Sequence, residues 1–335
     1  MKDEIEQIAN DAMRAAQLAA ALDVSGWPKP GNVHRLADFT DTRFEHFLAG
    51  SIALGPSVRE AALQGIKAGL GEIELSEIEI GKYVKEAICE VKRWHKGGNT
   101  HLGIILLFMP LAVASGMACI QMKRIEPRPL RERLSNIMKA TTAQDAINVY
   151  DAINLASSAA LGRLNRQGAP DLSDVSAKTK LAERRITLYD AMKTSSKWDN
   201  IAKEWTTGME ICFETGYPTL MKVHKETHDI NMAVVHTFLT ILSGFPDTFI
   251  ARKVGTRETP YIEKAVEIGI QKTRWISETA GEILKMGGLT TKLGREALFD
   301  FDRKLQSAGG EHNPGTSADL TAGSLMIGLL CGFRF

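Results

Sequence analysis

The sequence predicts an all-α fold, a single large multi-helix domain spanning residues 1–335. Three observations carry this. Apolar residues recur with helical spacing along nearly the whole chain, and strand-like alternation is scarce. Two stretches, 102–120 and 320–333, are apolar all round, as the central helices of a bundle are. The intervening loops are short and rich in Gly and Pro.

Residues 2–22 open the chain with Ile5, Ile8, Ala12, Ala15, Ala16 and Ala19 on one helix face. The acidic start lacks the basic residues and apolar run of a signal peptide. A Pro/Gly loop, SGWPKPGN, follows. Helices are expected around 43–54, 57–69, 77–95 and 101–122. After the proline break at 125–131, they resume over 131–139 and 142–162. A short polar stretch near 165–178 is the one candidate linker. Further helices fit 177–195, 198–215, 217–242, 246–254, 257–274, 275–286, 290–307 and 317–331. The 102–120 segment carries no charge and is nearly long enough to span a bilayer. Its Pro110, its glycines and the polar GGNTH before it favour a buried bundle helix, with no membrane partner.

With 44% hydrophobic and 24% charged residues, the chain reads as globular. Lys+Arg is 41 and Asp+Glu is 40, a balance with no electrostatic reason for a nucleic-acid partner. Cys89, Cys119, Cys212 and Cys331 form no C-x-x-C pair and read as buried thiols in a cytoplasmic, reducing setting. The oligomeric state is left open, a homo-oligomer included. P-loop, Rossmann and nucleophile-elbow signatures are absent.

Four polar segments carry candidate chemistry. In the first, Lys29-Pro30-Gly31-Asn32-Val33-His34-Arg35, proline stiffens a loop and Gly31 permits close backbone approach. Lys29, His34 and Arg35 supply cations for phosphate, with Asp38 and Asp41 just beyond. In the second, Gly98-Asn99-Thr100-His101 opens the apolar helix. Asn99 or Thr100 can cap it, its free N–H groups favour anions, and His101 is placed for acid–base work or phosphate contact. In the third, Asp247 starts a helix from which Arg252 projects, and Asp247 could hold Mg²⁺ with Asp38 or Asp319. In the fourth, Gly315-Thr316-Ser317-Ala318-Asp319 opens the last apolar helix. Convergent helix N-termini of this kind make an anion pocket. The pair His224 and His228, with His236 two turns on, has metal-like spacing but no H-E-x-x-H.

Taken together, the four segments resemble the triphosphoribosyl-dephospho-CoA synthase family, whose order is K-P-G-x-V, G-x-N-T-H-x-G, D-T/S-x-x-x-R-x-G and P-G-x-S-A-D-L. They stand here at Lys29–Val33, Gly98–Gly103, Asp247 to Gly255 and Pro314–Leu320. The resemblance spans almost the whole chain. It implies an all-helical pentosyltransferase with ATP and 3′-dephospho-CoA as substrates and Mg²⁺ as companion. The 2′-hydroxyl of dephospho-CoA attacks C1′ of the ATP ribose and adenine leaves. By the same resemblance Lys29, Asn99, His101, Arg252 and Ser317 bind substrates. Asp247, Asp319 or Asp38 serves as base or metal ligand. Two departures stand out. Leu102 follows N-T-H where the family has Lys, and His34-Arg35 follow K-P-G-x-V where it has Asp. They imply an altered phosphate pattern. The alternatives are ribosyl-phosphate transfer with another donor or acceptor, and a nucleotide-binding module without turnover.

Overall fold

A computed structural model describes residues 2–122, 124–156, 169–172 and 174–335. Among them there is no β-strand, only an isolated bridge between His34 and Ala37. The helices run α1 Lys2–Ser25, α2 Phe44–Ala53, α3 Gly55–Leu70, α4 Ile80–Trp94, α5 Leu102–Gln121, α6 Pro127–Lys139 and α7 Ala143–Ala156. They continue as α8 Ala177–Glu183, α9 Leu188–Ser195, α10 Asn200–Thr207, α11 Tyr217–Thr227, α12 Ile230–Gly244, α13 Thr248–Gly255, α14 Ile262–Lys285, α15 Lys292–Gln306 and α16 Gly315–Leu330. The all-α expectation therefore holds.

The apolar helix α5 is long and hydrophobic enough to cross a membrane, yet 78% of its most apolar window is buried within the protein. Helices α1, α3, α4, α6 and α16 pack around it. That enclosure removes the need for sequence periodicity, because every face meets a neighbour. Helix α16 is enclosed in the same way, from Thr316 to Leu329. One continuous apolar cluster runs from Ala9 in α1 to Phe333 after α16. A second cluster joins Phe238 and Leu242 of α12, Ile276 and Ile283 of α14, and Leu298 and Leu305 of α15.

Several element boundaries differ from the sequence expectation, each for a local reason. Helix α6 starts at Pro127 rather than 131, since proline at the first position lacks only an N–H that the helix would leave unpaired. The expected 217–242 helix breaks at His228, which adopts a left-handed φ of 53°, and Asp229 caps a new helix through Met232 N. His224 and His228 therefore do not continue onto one face with His236, whose Nε2 instead accepts the Leu289 amide. Among the described residues no three His, Cys, Asp or Glu side chains converge to hold a metal. The 177–195 helix breaks at Arg185, also left-handed, and where 257–274 and 275–286 are expected as two helices, one helix, Ile262–Lys285, stands. The end of the expected 142–162 helix and much of the candidate linker lie outside the described residues. Cys89 is exposed, contrary to the buried reading, while Cys212 and Cys331 are buried.

Helices α3 and α5 approach closely enough that a Cβ on Gly65 would sit 2.0 Å from the Val113 carbonyl, and one on Gly116 2.2 Å from that of Ala62. Gly65→Ala should thus destabilise by about 1–3 kcal/mol, overpacking outweighing the ~1 kcal/mol helix-propensity gain. Urea denaturation checks it, and a more stable variant would contradict the close packing.

Candidate active site

The four polar segments meet, and the last of them is the hub. Asn313 Oδ1 accepts from Asn32 Nδ2 at 2.8 Å, which sews the first loop to the fourth. Gly31, at φ +71°, lies so close that a Cβ there would be 2.8 Å from the His312 carbonyl. Asp247 Oδ2 accepts from Ser317 N at 2.7 Å and Ser317 Oγ at 2.9 Å. Gly103 leaves the space that Asp319 fills, since a Cβ there would be 2.0 Å from Asp319 Oδ2. The N-termini of α5, α13 and α16 thereby converge. Helix α10 joins them: Asn200 N donates to Thr248 Oγ1 at 3.2 Å, and Asn200 Nδ2 to the Pro246 carbonyl at 3.0 Å. Four helix ends, each with partial positive charge, face one region.

Asp247 is buried, and its other oxygen accepts from Phe249 N and Ile250 N. Four donors on one carboxylate make it a cap for two helices. Burial raises its pKa and the donors oppose that shift. Its oxygens are occupied, so it positions the site rather than accepting a proton or ligating a metal. Asp38 is exposed and accepts the Phe44 amide at 2.8 Å, starting α2. The expected Asp38–Asp247 metal pair is thus replaced by two capping roles.

Asp319 differs. It makes no hydrogen bond or ion pair among the described residues. The residue is partly accessible, while the protein atoms crowded around its carboxylate disfavour the charged form. Burial pushes its pKa well above the ordinary value, repulsion from Asp23, Asp247 and Asp199 adds to this, and Lys29 opposes it. Lys29 is wholly buried and donates to Asp23 Oδ2 and to the Asp23 carbonyl, both at 2.8 Å. The expected phosphate-binding Lys29 is therefore an internal counter-ion, held by a carboxylate that sequence reasoning did not single out.

His34 is also reassigned. It is buried, its Nε2 lies 3.1 Å from Asp302 Oδ2, and Asp302 Oδ1 accepts the Gly31 amide. The imidazole clamps the loop to α15 rather than meeting phosphate. Arg35 is exposed and donates from Nε to the Ser25 carbonyl at 2.8 Å. Arg252 remains available: its guanidinium lies 5.4 Å from the centre of the Phe249 ring and has no hydrogen-bond or ion-pair partner among the described residues. Gly315 lies against the same ring. Lys253 caps the Gly310 carbonyl at 2.9 Å and is half-buried, which lowers its pKa.

The second segment forms a wall of an open cleft of about 620 Å³, lined by Arg43, His46, Lys92, Lys96, Asn99 and His101 among others. Gly98 N donates to the Asp41 carbonyl, which joins the loop to the first segment's extension. Asn99 Oδ1 accepts Leu102 N at 3.2 Å, but the residue in the N-cap position of α5 is His101 rather than Asn99 or Thr100. Thr100 Oγ1 lies 2.7 Å from His101 Nδ1 and 3.1 Å from His95 Nε2. His101 is buried, which pushes its pKa down to about 3, so it is neutral near pH 7. Sequence reasoning missed Asp23, Asp199, Asp302 and His95. Only Asp199, standing before a helix, had a legible cap signature.

A site with four helix N-termini, an unpartnered guanidinium and an unpartnered carboxylate belongs to an all-helical protein equipped for phosphorylated substrates. The model of the ATP:dephospho-CoA triphosphoribosyl transferase family matches residues 9–334, and the chain belongs to that family. It is 22% identical over 319 residues to the 2-(5''-triphosphoribosyl)-3'-dephosphocoenzyme-A synthase of Klebsiella pneumoniae, covering 94% of this chain and 89% of that protein. It is also similar to a crystal structure described as a triphosphoribosyl-dephospho-CoA synthase from Archaeoglobus fulgidus. The TM-score is 0.56 at 25% identity, covering 86% of this chain and 100% of that one.

The ionisation of Asp319 has a measurable consequence. Its folded pKa is raised, so the folded state holds the proton more tightly than the unfolded one. Stability from this group is present below the unfolded carboxylate pKa of about 4 and is lost as pH rises through the folded value. Asp319→Asn should therefore raise Tm at pH 7, by an amount that shrinks toward pH 4. A Tm that falls equally at both pH values would contradict the assignment.

Proposed function

We propose that this chain transfers the triphosphoribosyl group of ATP to the 2′-hydroxyl of 3′-dephospho-CoA and releases adenine. Family membership supports the substrates. The observation that carries the mechanism is Asp319, a carboxylate without a partner at the meeting point of helix ends.

The 2′-hydroxyl oxygen forms an O-glycosidic bond to C1′ as the C1′–N9 bond breaks. Adenine leaves with the bond's electron pair and takes a proton from water, and the hydroxide so formed is neutralised by the proton that Asp319 receives. The 2′-hydroxyl proton passes to Asp319, whose raised proton affinity makes its ionised form a stronger base than an ordinary carboxylate. Positive charge grows on the ribose during this step, and Asp319, Asp23, Asp247 and Asp199 give that charge a favourable surrounding. Arg252 offers a planar fork to phosphate oxygens. The helix N-termini supply further donors. Leu102 packs against the core, so cations for a second phosphate group come from Arg43, Lys92 and Lys96 of the cleft instead.

Mg²⁺ on this reading enters with the triphosphate, neutralises part of its charge and keeps most of its water. Asp199 fits as the protein's contribution: its Oδ1 takes the Ile201 and Ala202 amides, and its Oδ2 has no partner among the described residues. The free cysteines suit a cytoplasmic setting.

Adenine release from ATP and Mg²⁺ is the test, with mass analysis of the product. Adenine should appear only when 3′-dephospho-CoA is present. Asp319→Asn should lose roughly 10²–10⁴-fold in kcat, and wild-type kcat/KM should rise with pH through the raised Asp319 pKa. Arg252→Ala should chiefly raise KM for ATP. Absence of adenine under all conditions, beside an active family member, would refute the proposal.

A further inference from the structure

Among the described residues only two buried side-chain polar atoms lack a hydrogen-bond partner, Asp23 Oδ1 and His101 Nε2. The second ends a chain of hydrogen bonds whose direction is set at its other end. Gly97 N donates to His95 Nδ1 at 3.1 Å. A backbone amide can only donate, so Nδ1 of His95 is an acceptor and the neutral ring carries its proton on Nε2. That Nε2–H donates to Thr100 Oγ1 at 3.1 Å.

Thr100 Oγ1 also lies 2.7 Å from His101 Nδ1. Two arrangements are available. If His101 also donated to Thr100, the hydroxyl proton would have no acceptor among the described residues and the Nε2 lone pair would be stranded as well. If Thr100 donates to His101 Nδ1, a single group is left over, the Nε2–H. The second arrangement leaves fewer buried groups unsatisfied and is the favoured one. Burial holds both rings toward the neutral form that this chain requires. His46 stacks on His95, with ring centres 5.2 Å apart and planes 15° from parallel, and fixes the plane of the first ring. The Arg43 amide in turn donates to His46 Nδ1 at 3.1 Å.

We infer that His95, acting through Thr100, is a positioning residue that fixes His101 as an Nε2–H donor for a phosphate oxygen of the substrate. His101 lines the cleft that also carries Arg43, Lys92 and Lys96, whose charges select a phosphate over a neutral acceptor. A neutral imidazole suits this role, because it donates one directed hydrogen bond and stays uncharged when the cleft is empty. The inference rests on the proposed function for the identity of the substrate, but not for the state of the ring.

Nitrogen-15 NMR of the full-length labelled chain tests it without turnover. His95 and His101 should both carry the proton on Nε2. Inorganic tripolyphosphate should shift the His101 Nε2 resonance. Thr100→Val should leave His101 as a mixture of tautomers, abolish the tripolyphosphate shift and lower triphosphoribosyl transfer at least tenfold. Thr100→Ser should restore all three, which a purely structural loss would not track. A native His101 protonated on Nδ1 would overturn the inference. So would a tautomer unchanged by Thr100→Val, or an Nε2 resonance that tripolyphosphate does not move. A chain that shows the expected tautomers and shift yet releases no adenine would uphold this inference and refute the proposed function.

Discussion

The Asp247 carboxylate accepts four hydrogen bonds, two from the first turn of α13 and two from Ser317 in the first turn of α16. It is buried, and an unmet donor in that setting costs about 1–3 kcal/mol. One side chain thus fixes the relative placement of two helix ends. The remaining contacts follow from it. Thr248, beside Asp247, receives the α10 amide and lies 3.4 Å from Thr316. Asp319, two residues past Ser317, reaches the gap left by Gly103. Without the Asp247 bridge there would be no reason for Asp319 to stand unpartnered where four helices begin.

The charge in this region is out of balance by design of the packing. Asp23, Asp199 and Asp247 all act on Asp319, and Lys29 is the buried cation beside it. Lys29 is bonded to Asp23, so Asp319 feels attraction from it without contact. Helix N-termini favour the charges of Asp199, Asp247 and Asp319, whereas Asp23 stands in the last turn of α1, where the dipole opposes it. The residual strain is stored on Asp319, and a group held in that way takes up a proton readily. The same feature lowers stability near neutral pH and, in the proposed reaction, would supply the base, a pairing expected where function and stability compete.

How much of this the sequence revealed depended on range. Helices with apolar faces or apolar bodies were legible because periodicity is local. The Asp247 start was legible for the same reason, while the N-cap of α5 fell on His101 rather than on Asn99 or Thr100. The breaks at His228 and Arg185 were not, since a left-handed residue without glycine leaves no composition signal. Cationic side chains were the main source of misreading. Lys29 and His34 look like phosphate ligands beside a glycine loop, yet each is bound to an aspartate, Asp23 or Asp302, and Asp302 lies 268 residues from His34. Only the tertiary fold creates the second pairing. Motif order indicated the family, while the convergence of the motifs on α16 needed coordinates.

The central claim is that packing leaves the Asp319 carboxylate unpartnered and avid for a proton. The most direct measurement is a carbon-13 NMR titration of the Asp319 carboxyl in the substrate-free protein. The carboxyl of Asp319 should titrate well above the ordinary aspartate range. Titration at or below the ordinary value would mean that a partner holds Asp319 in its charged form, and the role of base would have to pass to another residue.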